Sequence, residues 1–262
     1  YCVLYGDLLM SLYNQCKPYE LERDATDRCL AKWQKRLEES FANGGYLHTG
    51  RNYRAILEDF AKLERSRVKK IRVGIVGEIY VKYSPLANND LEKFLLSEGC
   101  EPVVPALLEF VMYCAAGTVV DAKLYDHTTN MTRLYRLGYK LIYSRLKQQI
   151  RIVKQHGVFD PPHDFEEVRR AADEYISQGV SMGEGWLIPA EMAMLAKSGT
   201  KNIICAQPFG CLPNHIVAKG MSRAIKQKHP DANIVAIDYD PGATRVNQEN
   251  RIKLMLSNAK QG

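Results

Sequence analysis

From Ile71 onward the chain alternates short β-branched runs with longer amphipathic segments, and this alternation limits its possible folds more than any other feature. Ile71-Arg72-Val73-Gly74-Ile75-Val76-Gly77 is apolar at nearly every position. A strand buried on both faces reads this way, and such strands belong to parallel sheets. Further strands are expected from Glu101 to Val104, from Asn202 to Ala206 and from Asn233 to Asp238. Parallel neighbours need crossovers, and helical periodicity supplies them. One helix follows Asn88-Asn89-Asp90 with Leu91, Phe94 and Leu95, and ends at Gly99. Others are expected over 106–116, 132–155, 166–176, 189–197, from about 214, and over 247–259. In the second of these, Leu134, Leu137, Leu141, Ile142, Leu146, Ile150 and Val153 keep helical spacing. The pattern predicts an α/β fold: a mostly parallel, doubly wound sheet of the Rossmann or flavodoxin-like kind, helices on both faces.

The first seventy residues differ in texture. Leu30, Trp33, Leu37 and Phe41 mark an amphipathic helix that Gly44-Gly45 stops. Tyr53, Ile56, Leu57, Phe60 and Leu63 mark another, and the segment before Leu21 also reads as helical. The basic stretch Arg65-Ser66-Arg67-Val68-Lys69-Lys70 is expected to be a solvated connector. The expected division is a helical segment, 1–70, and an α/β domain, 71–262.

Charge and cysteine usage exclude several classes. The excess of 36 Lys+Arg over 30 Asp+Glu is +6, spread along the chain, so no nucleic-acid groove is indicated. No apolar run reaches the ~20 residues of a membrane span, and there is no signal-peptide pattern. The seven cysteines are odd in number and include no C-x-x-C, which favours reduced thiols in a cytoplasmic protein over a disulfide framework. The chain begins with Tyr1, and the expectation is a segment of a longer polypeptide.

Ligands of such sheets bind beyond the carboxyl ends of the strands. Three loops are expected at that edge, after Gly77, after Cys205 and after Asp238. The second is Gln207-Pro208-Phe209-Gly210-Cys211-Leu212-Pro213, just before a helix. A thiol near the positive end of a helix ionises more easily, and the thiolate can bind a soft metal or act as a nucleophile. Gly210 lets the backbone approach a bulky ligand, and Pro208 and Pro213 stiffen the loop. Cys205 also reads as a small apolar residue finishing a strand, whereas Cys211 sits in mid-loop. Cys211 and His215 make half a zinc site without a second ligand pair.

Met182-Gly183-Glu184-Gly185-Trp186 holds one carboxylate between two glycines. Glu184 reads either as an acid or ligand-orienting group, or as a turn residue favouring the next helix's N-terminus. Gly74-Ile75-Val76-Gly77-Glu78 lacks the third glycine of a dinucleotide loop, and Lys82-Tyr83-Ser84 is not a P-loop Lys-Ser. Asp238, Asp240 and Glu249 read as a hard-metal cluster or as ordinary strand-end and solvated carboxylates. No Gly-x-Ser-x-Gly elbow is present. Gly77, Glu184, Cys211 and Asp240 are expected to converge at one end of the sheet.

Four blocks together resemble a known family. They are Val73 to Ser84, Met182 to Leu187, Cys205 to His215, and Asp238 to Thr244 with Asn247-Gln248-Glu249-Asn250-Arg251. This resembles the carboxy-terminal region of long acyl-CoA dehydratase activase-related proteins. In those, ATPase modules are fused to a region similar to subunits of the 2-hydroxyglutaryl-CoA dehydratase family. The resemblance runs from Ile71 to the end. It implies an anaerobic, ATP-coupled iron-sulfur system, either a 2-hydroxyacyl-CoA dehydratase-like lyase or a low-potential electron-transfer reductase. It implies a 4Fe-4S or double-cubane cluster in the full-length protein, with Cys211 in the place of one ligand, Cys205 as a further candidate thiol, and Asp238, Asp240 and Arg251 following in order. Glu184, Gln207, Asn214 and His215 would line the cluster-side cavity, and an acyl-CoA would be the possible substrate.

The other two ligand cysteines of that family lie in an earlier α/β lobe around a Cys-x-Pro loop. Here Cys2, Cys16 and Cys29 fall in helical patterns, and the ATPase motifs are missing. The expected partners are therefore an upstream cysteine-bearing lobe and ATPase activase modules of the same polypeptide. The isolated chain is expected to be inactive and to hold no intact cluster, with Cys211 a thiol near the surface. The alternative is a non-catalytic scaffold on which the ATPase modules dock.

Overall fold

Four strands carry the architecture: β1 (Arg72–Gly77), β2 (Glu101–Val103), β3 (Asn202–Pro208) and β4 (Asn233–Tyr239). The structure, a computed structural model, describes residues 1–126, 128–240, 242 and 244–261, the side chains of Lys260 and Gln261 excepted. All strand pairings among the described residues are parallel, in the order β2-β1-β3-β4. The chain is thus an α/β protein with a doubly wound parallel sheet and leading helices. The expected strands lie within a residue or two of their sequence positions.

Alternation along the strands sends successive side chains to opposite faces. Val73, Ile75, Ile204, Ala206 and Ile237 pack with α5 (Leu91–Ser97) and α11 (Arg245–Gln261) on one face. Val76, Ile203, Cys205 and Ile234 face α9 (Leu187–Lys197) and α10 (Ser222–Lys228) on the other. Both faces are dry, which explains the apolar strands.

The leading segment forms α1 (Cys2–Cys16), α2 (Ala25–Ala42) and α3 (Thr49–Ala61). Tyr5, Trp33, Tyr53 and Phe60 share one apolar cluster with Ile152 and Val153, near the end of α7 (Asn130–His156). The helices α6 (Leu107–Leu124) and α8 (Phe165–Asp173) complete a further cluster with α7 and α9 around Trp186.

Three local differences from the sequence reading have clear causes. The expected loop after Gly77 contains a short helix, α4 (Ile79–Tyr83), because the Glu78 carboxylate caps it by accepting from Val81 N at 2.8 Å. α6 continues past Gly117 to Leu124 because it lies beside α7. The helix at Asn214 is a π-helical turn, Asn214–Lys219, before α10 begins. In the loop after β4, Pro241 and Ala243 lie outside the described residues. No helix among the described residues is long and apolar enough to cross a membrane.

Candidate functional site

The sheet order creates one special place. From β1 the chain crosses to β2 on one side, then returns to β3 on the other. The crevice beyond the carboxyl ends of β1 and β3 is therefore the topological switch point, where sheets of this kind bind ligands. Three loops meet there, after β1, before α9 and after β3.

Gly77 ends β1 at φ +132°, and a Cβ there would lie 1.9 Å from the carbonyl oxygen of Ala206. Only glycine lets the two strand ends run this close, and Glu78 N then donates to Ala206 O at 3.0 Å. Glu184 reaches across from the loop before α9. Its Oε1 accepts from Ile79 N at 3.0 Å and its Oε2 from Asn214 Nδ2 at 3.2 Å. One buried carboxylate thus ties the loop after β1 to the turn after β3. The loop holding it is pinned by Tyr113 of α6, whose hydroxyl donates to the carbonyls of Ser181 and Gly183. Gly185 is required here, since a Cβ would meet Val180 O at 2.1 Å.

Asn214 also donates to Cys211 Sγ at 3.2 Å. Its amide orientation follows from Glu184, because the NH2 group must face the carboxylate. That leaves Asn214 Oδ1 buried without a partner. Cys211 is half-buried on the loop, at the rim of this network. Exposed Phe209, Leu212 and Ile216 flank it in sequence, and Pro213 lies against Gly183, beside exposed Met182.

A second group of bonds continues toward β4. Gln207 is wholly buried and donates to Asp238 Oδ1 at 2.6 Å. His215 Nδ1 lies 2.8 Å from the carbonyl oxygen of Cys211, which can only accept, so Nδ1 carries the proton. His215 Nε2 lies 3.3 Å from the Gln207 amide nitrogen and 3.4 Å from Asp238 Oδ1. Cys205 and Gln207 share a strand face, and Cys205 Sγ donates to Gln207 Oε1 at 3.9 Å. Burial pushes the Cys205 thiol far up from its ordinary value, so it stays a neutral S–H.

Gly77, Glu184, Gln207, Cys211, Asn214 and His215 therefore come together at one edge, with Asp238 added. Asp240 follows β4 and turns back to accept from Gly242 N at 3.0 Å. Glu249 is paired with Arg245 at 2.6 Å, and Arg251 is exposed on α11. Among the described residues, the one group of three close metal-type ligands is Glu20, Asp24 and Asp27, all three of which pair with Lys17. Cys114 is exposed on α6, within electrostatic range of Glu184. Cys16 and Cys29 are buried in the helical cluster. No disulfide forms among the described residues.

Sequence reasoning missed a buried charged cluster behind this edge. Lys82 of α4 and Glu191 of α9 pair at 2.8 and 3.1 Å, both almost fully buried. Glu191 stands alone among apolar residues over 187–196, and a lone carboxylate in such a stretch signals a buried partner. Comparisons with protein-family models, with curated proteins and with solved structures find no match to this chain.

Proposed function

We propose that this chain is one lobe of a cytoplasmic, anaerobic, ATP-coupled iron-sulfur reductase or 2-hydroxyacyl-CoA dehydratase-like protein, and that it contributes a single cluster ligand, Cys211. The observation that carries this reading is the setting of that thiol. It sits half-buried at the switch point, accepts an N–H from Asn214, and is flanked by exposed apolar side chains. N–H donors on a thiolate tune iron-sulfur sites, and an exposed apolar rim marks a surface that another body covers.

The residues present fit one ligand and not a whole cluster. Cys205 Sγ is inside the core and hydrogen-bonded to Gln207, and among the described residues no third ligand atom closes on Cys211. The remaining thiolates belong to an upstream lobe of the same polypeptide. A cluster held there would supply low-potential electrons or a Lewis acid toward an acyl-CoA. This chain's own part is to hold Cys211 through Asn214 and Glu184, with Gln207 and His215 stiffening the loop behind it.

The test uses the full polypeptide with its ATPase modules, reconstituted anaerobically with iron and sulfide. Cys211→Ser should lower iron content and quench the charge-transfer absorption, whereas Cys16→Ser and Cys29→Ser should do neither. Unchanged iron and spectrum in Cys211→Ser would remove Cys211 as a ligand.

A second reading, a scaffold for the ATPase modules, is favoured by the α6–α7 pair. Leu134, Leu137 and Leu141 are each more than half exposed along α7. The same helix carries seven Lys and Arg and no carboxylate. An apolar stripe in a basic field suits an acidic, apolar partner face and repels a second copy of itself. Leu134→Asp with Leu141→Asp should abolish binding of the ATPase modules if this surface docks them, and retained binding would exclude it.

A further inference from the structure

A cavity of about 390 Å³ lies away from the switch point, along the open edge of β2, bounded by α1, the start of α6, the end of α7 and the segment 160–164. The charged side chains that line it are mostly acidic, and several of them are already engaged. Arg72 lies 3.2 Å from Glu101 and 3.0 Å from Asp160. Asp164 accepts from Tyr143 and from Glu166 N. Glu167 and Lys154 also line it, both as exposed side chains, and the other two lining carboxyl groups are Asp7 and Glu109.

Asp7 caps α6 from another helix, accepting from Leu107 N and Leu108 N at 2.9 Å each. Glu109, one residue further along, is 2% exposed, and its Oε2 has no partner. Behind them stands the Lys82–Glu191 pair. The buried interior thus holds three carboxyl groups, Asp7, Glu109 and Glu191, and one cation, Lys82, which both oxygens of Glu191 occupy. The carboxyl groups outnumber the cation by two, so that one excess charge remains even when Glu109 carries a proton, and a buried unpaired polar group is costly.

We propose that this cavity binds a small primary ammonium compound, its charged end seated against Glu109 and Asp7. A bare metal ion fits poorly, because among the described residues no three ligand atoms converge here. The volume instead matches the low end of small-molecule sites. Such a site is independent of any role for Cys211.

The charge balance couples binding to a proton. The groups facing Glu109 are Asp7 from α1, Lys82 and the Tyr83 phenol from α4, and Glu191 from α9. Burial first, then the Glu191 and Asp7 charges, hold its carboxyl far above the usual range, so it carries a proton when the cavity lacks a cation. An arriving ammonium favours the carboxylate, and the proton leaves to solvent. Affinity should therefore weaken on acidification, by about tenfold per pH unit while Glu109 is protonated in the free protein.

The experiment titrates n-butylamine into the protein at pH 8, followed by NMR, with 1-butanol as the neutral isostere and KCl at matched ionic strength. Saturable binding of the amine alone, proton uptake by the buffer, and loss of at least tenfold in affinity at pH 6 are expected. Glu109→Gln keeps the shape of the protonated acid and should weaken the amine at least tenfold without changing the circular dichroism. Asp7→Asn serves as the second variant. Equal binding of butanol, no binding of the amine, an affinity untouched by both substitutions, or preferential binding of Mg²⁺ would each overturn the proposal.

Discussion

The switch-point edge and the outer half of the α6–α7 pair break opposite rules. At the edge, polar side chains are buried: Glu184, Gln207 and Asn214 are at most 6% exposed. On α7, leucines are exposed. Burial of the polar groups is tolerated because nearly all of their hydrogen-bonding atoms are satisfied within the chain, Asn214 Oδ1 excepted. Exposure of the leucines has no internal compensation. The polar network of the first region is closed by its own contacts, although Phe209, Leu212 and Ile216 at its rim are exposed, whereas the α7 leucines ask for a surface outside the described residues.

Five substitutions, in four tests, would break or sharpen this contrast. The largest effect is expected of Gly77→Ala, where the new Cβ would meet backbone on both sides of the Ala206 peptide. We expect a loss of roughly 3 kcal/mol or more in urea unfolding, the range of severe single substitutions. A stability near that of the unaltered chain would mean that the two strand ends can part.

Glu184→Ala comes next. It orphans Ile79 N and one Asn214 N–H, at about 1–3 kcal/mol. It also frees the Asn214 amide, so alkylation of Cys211 should accelerate, read by mass spectrometry after iodoacetamide. Unchanged kinetics at Cys211 would separate Glu184 from the thiol.

The same glycine substitution on the other region should carry the opposite sign. Gly138 lies inside α7 with open space around its missing Cβ. Gly138→Ala should therefore stabilise by about 0.5–1 kcal/mol. Destabilisation would show that something already packs there.

Smallest is the effect of Leu134→Asp and Leu141→Asp on the chain's own stability, within about 0.5 kcal/mol in either direction. A loss of 2 kcal/mol or more would mean that these leucines are core, and the contrast between the two regions would vanish.

The legible and illegible parts divide by range. The central strands from Ile71 and Asn202 could be read because a doubly buried strand needs a nearly unbroken apolar run, and the edge strands from Glu101 and Asn233 because short apolar stretches recur between helical segments. Gly77, Glu184 and Cys211 could be placed at one edge because each ends a strand or lies in a loop just before a helix, whereas Gln207, Asn214 and His215 were expected there only from the resemblance. The α7 stripe was read only in part. Leu146, Ile150 and Val153 are covered, whereas Leu134, Leu137 and Leu141 continue the period into solvent. Periodicity tells that a helix has an apolar face, and not what lies against it.

By itself, then, the sequence determined the kinds of elements, their approximate ends and the edge where chemistry can sit, because those follow from neighbours a few residues apart. Tertiary structure alone decided the strand order and with it the switch point. It also decided that Glu184 joins Ile79 to Asn214, that Asp7 caps α6, and that Lys82 meets Glu191. Each of these links joins residues far apart in the chain. Their bonds form only because the sheet and its helices remove the alternatives offered by water.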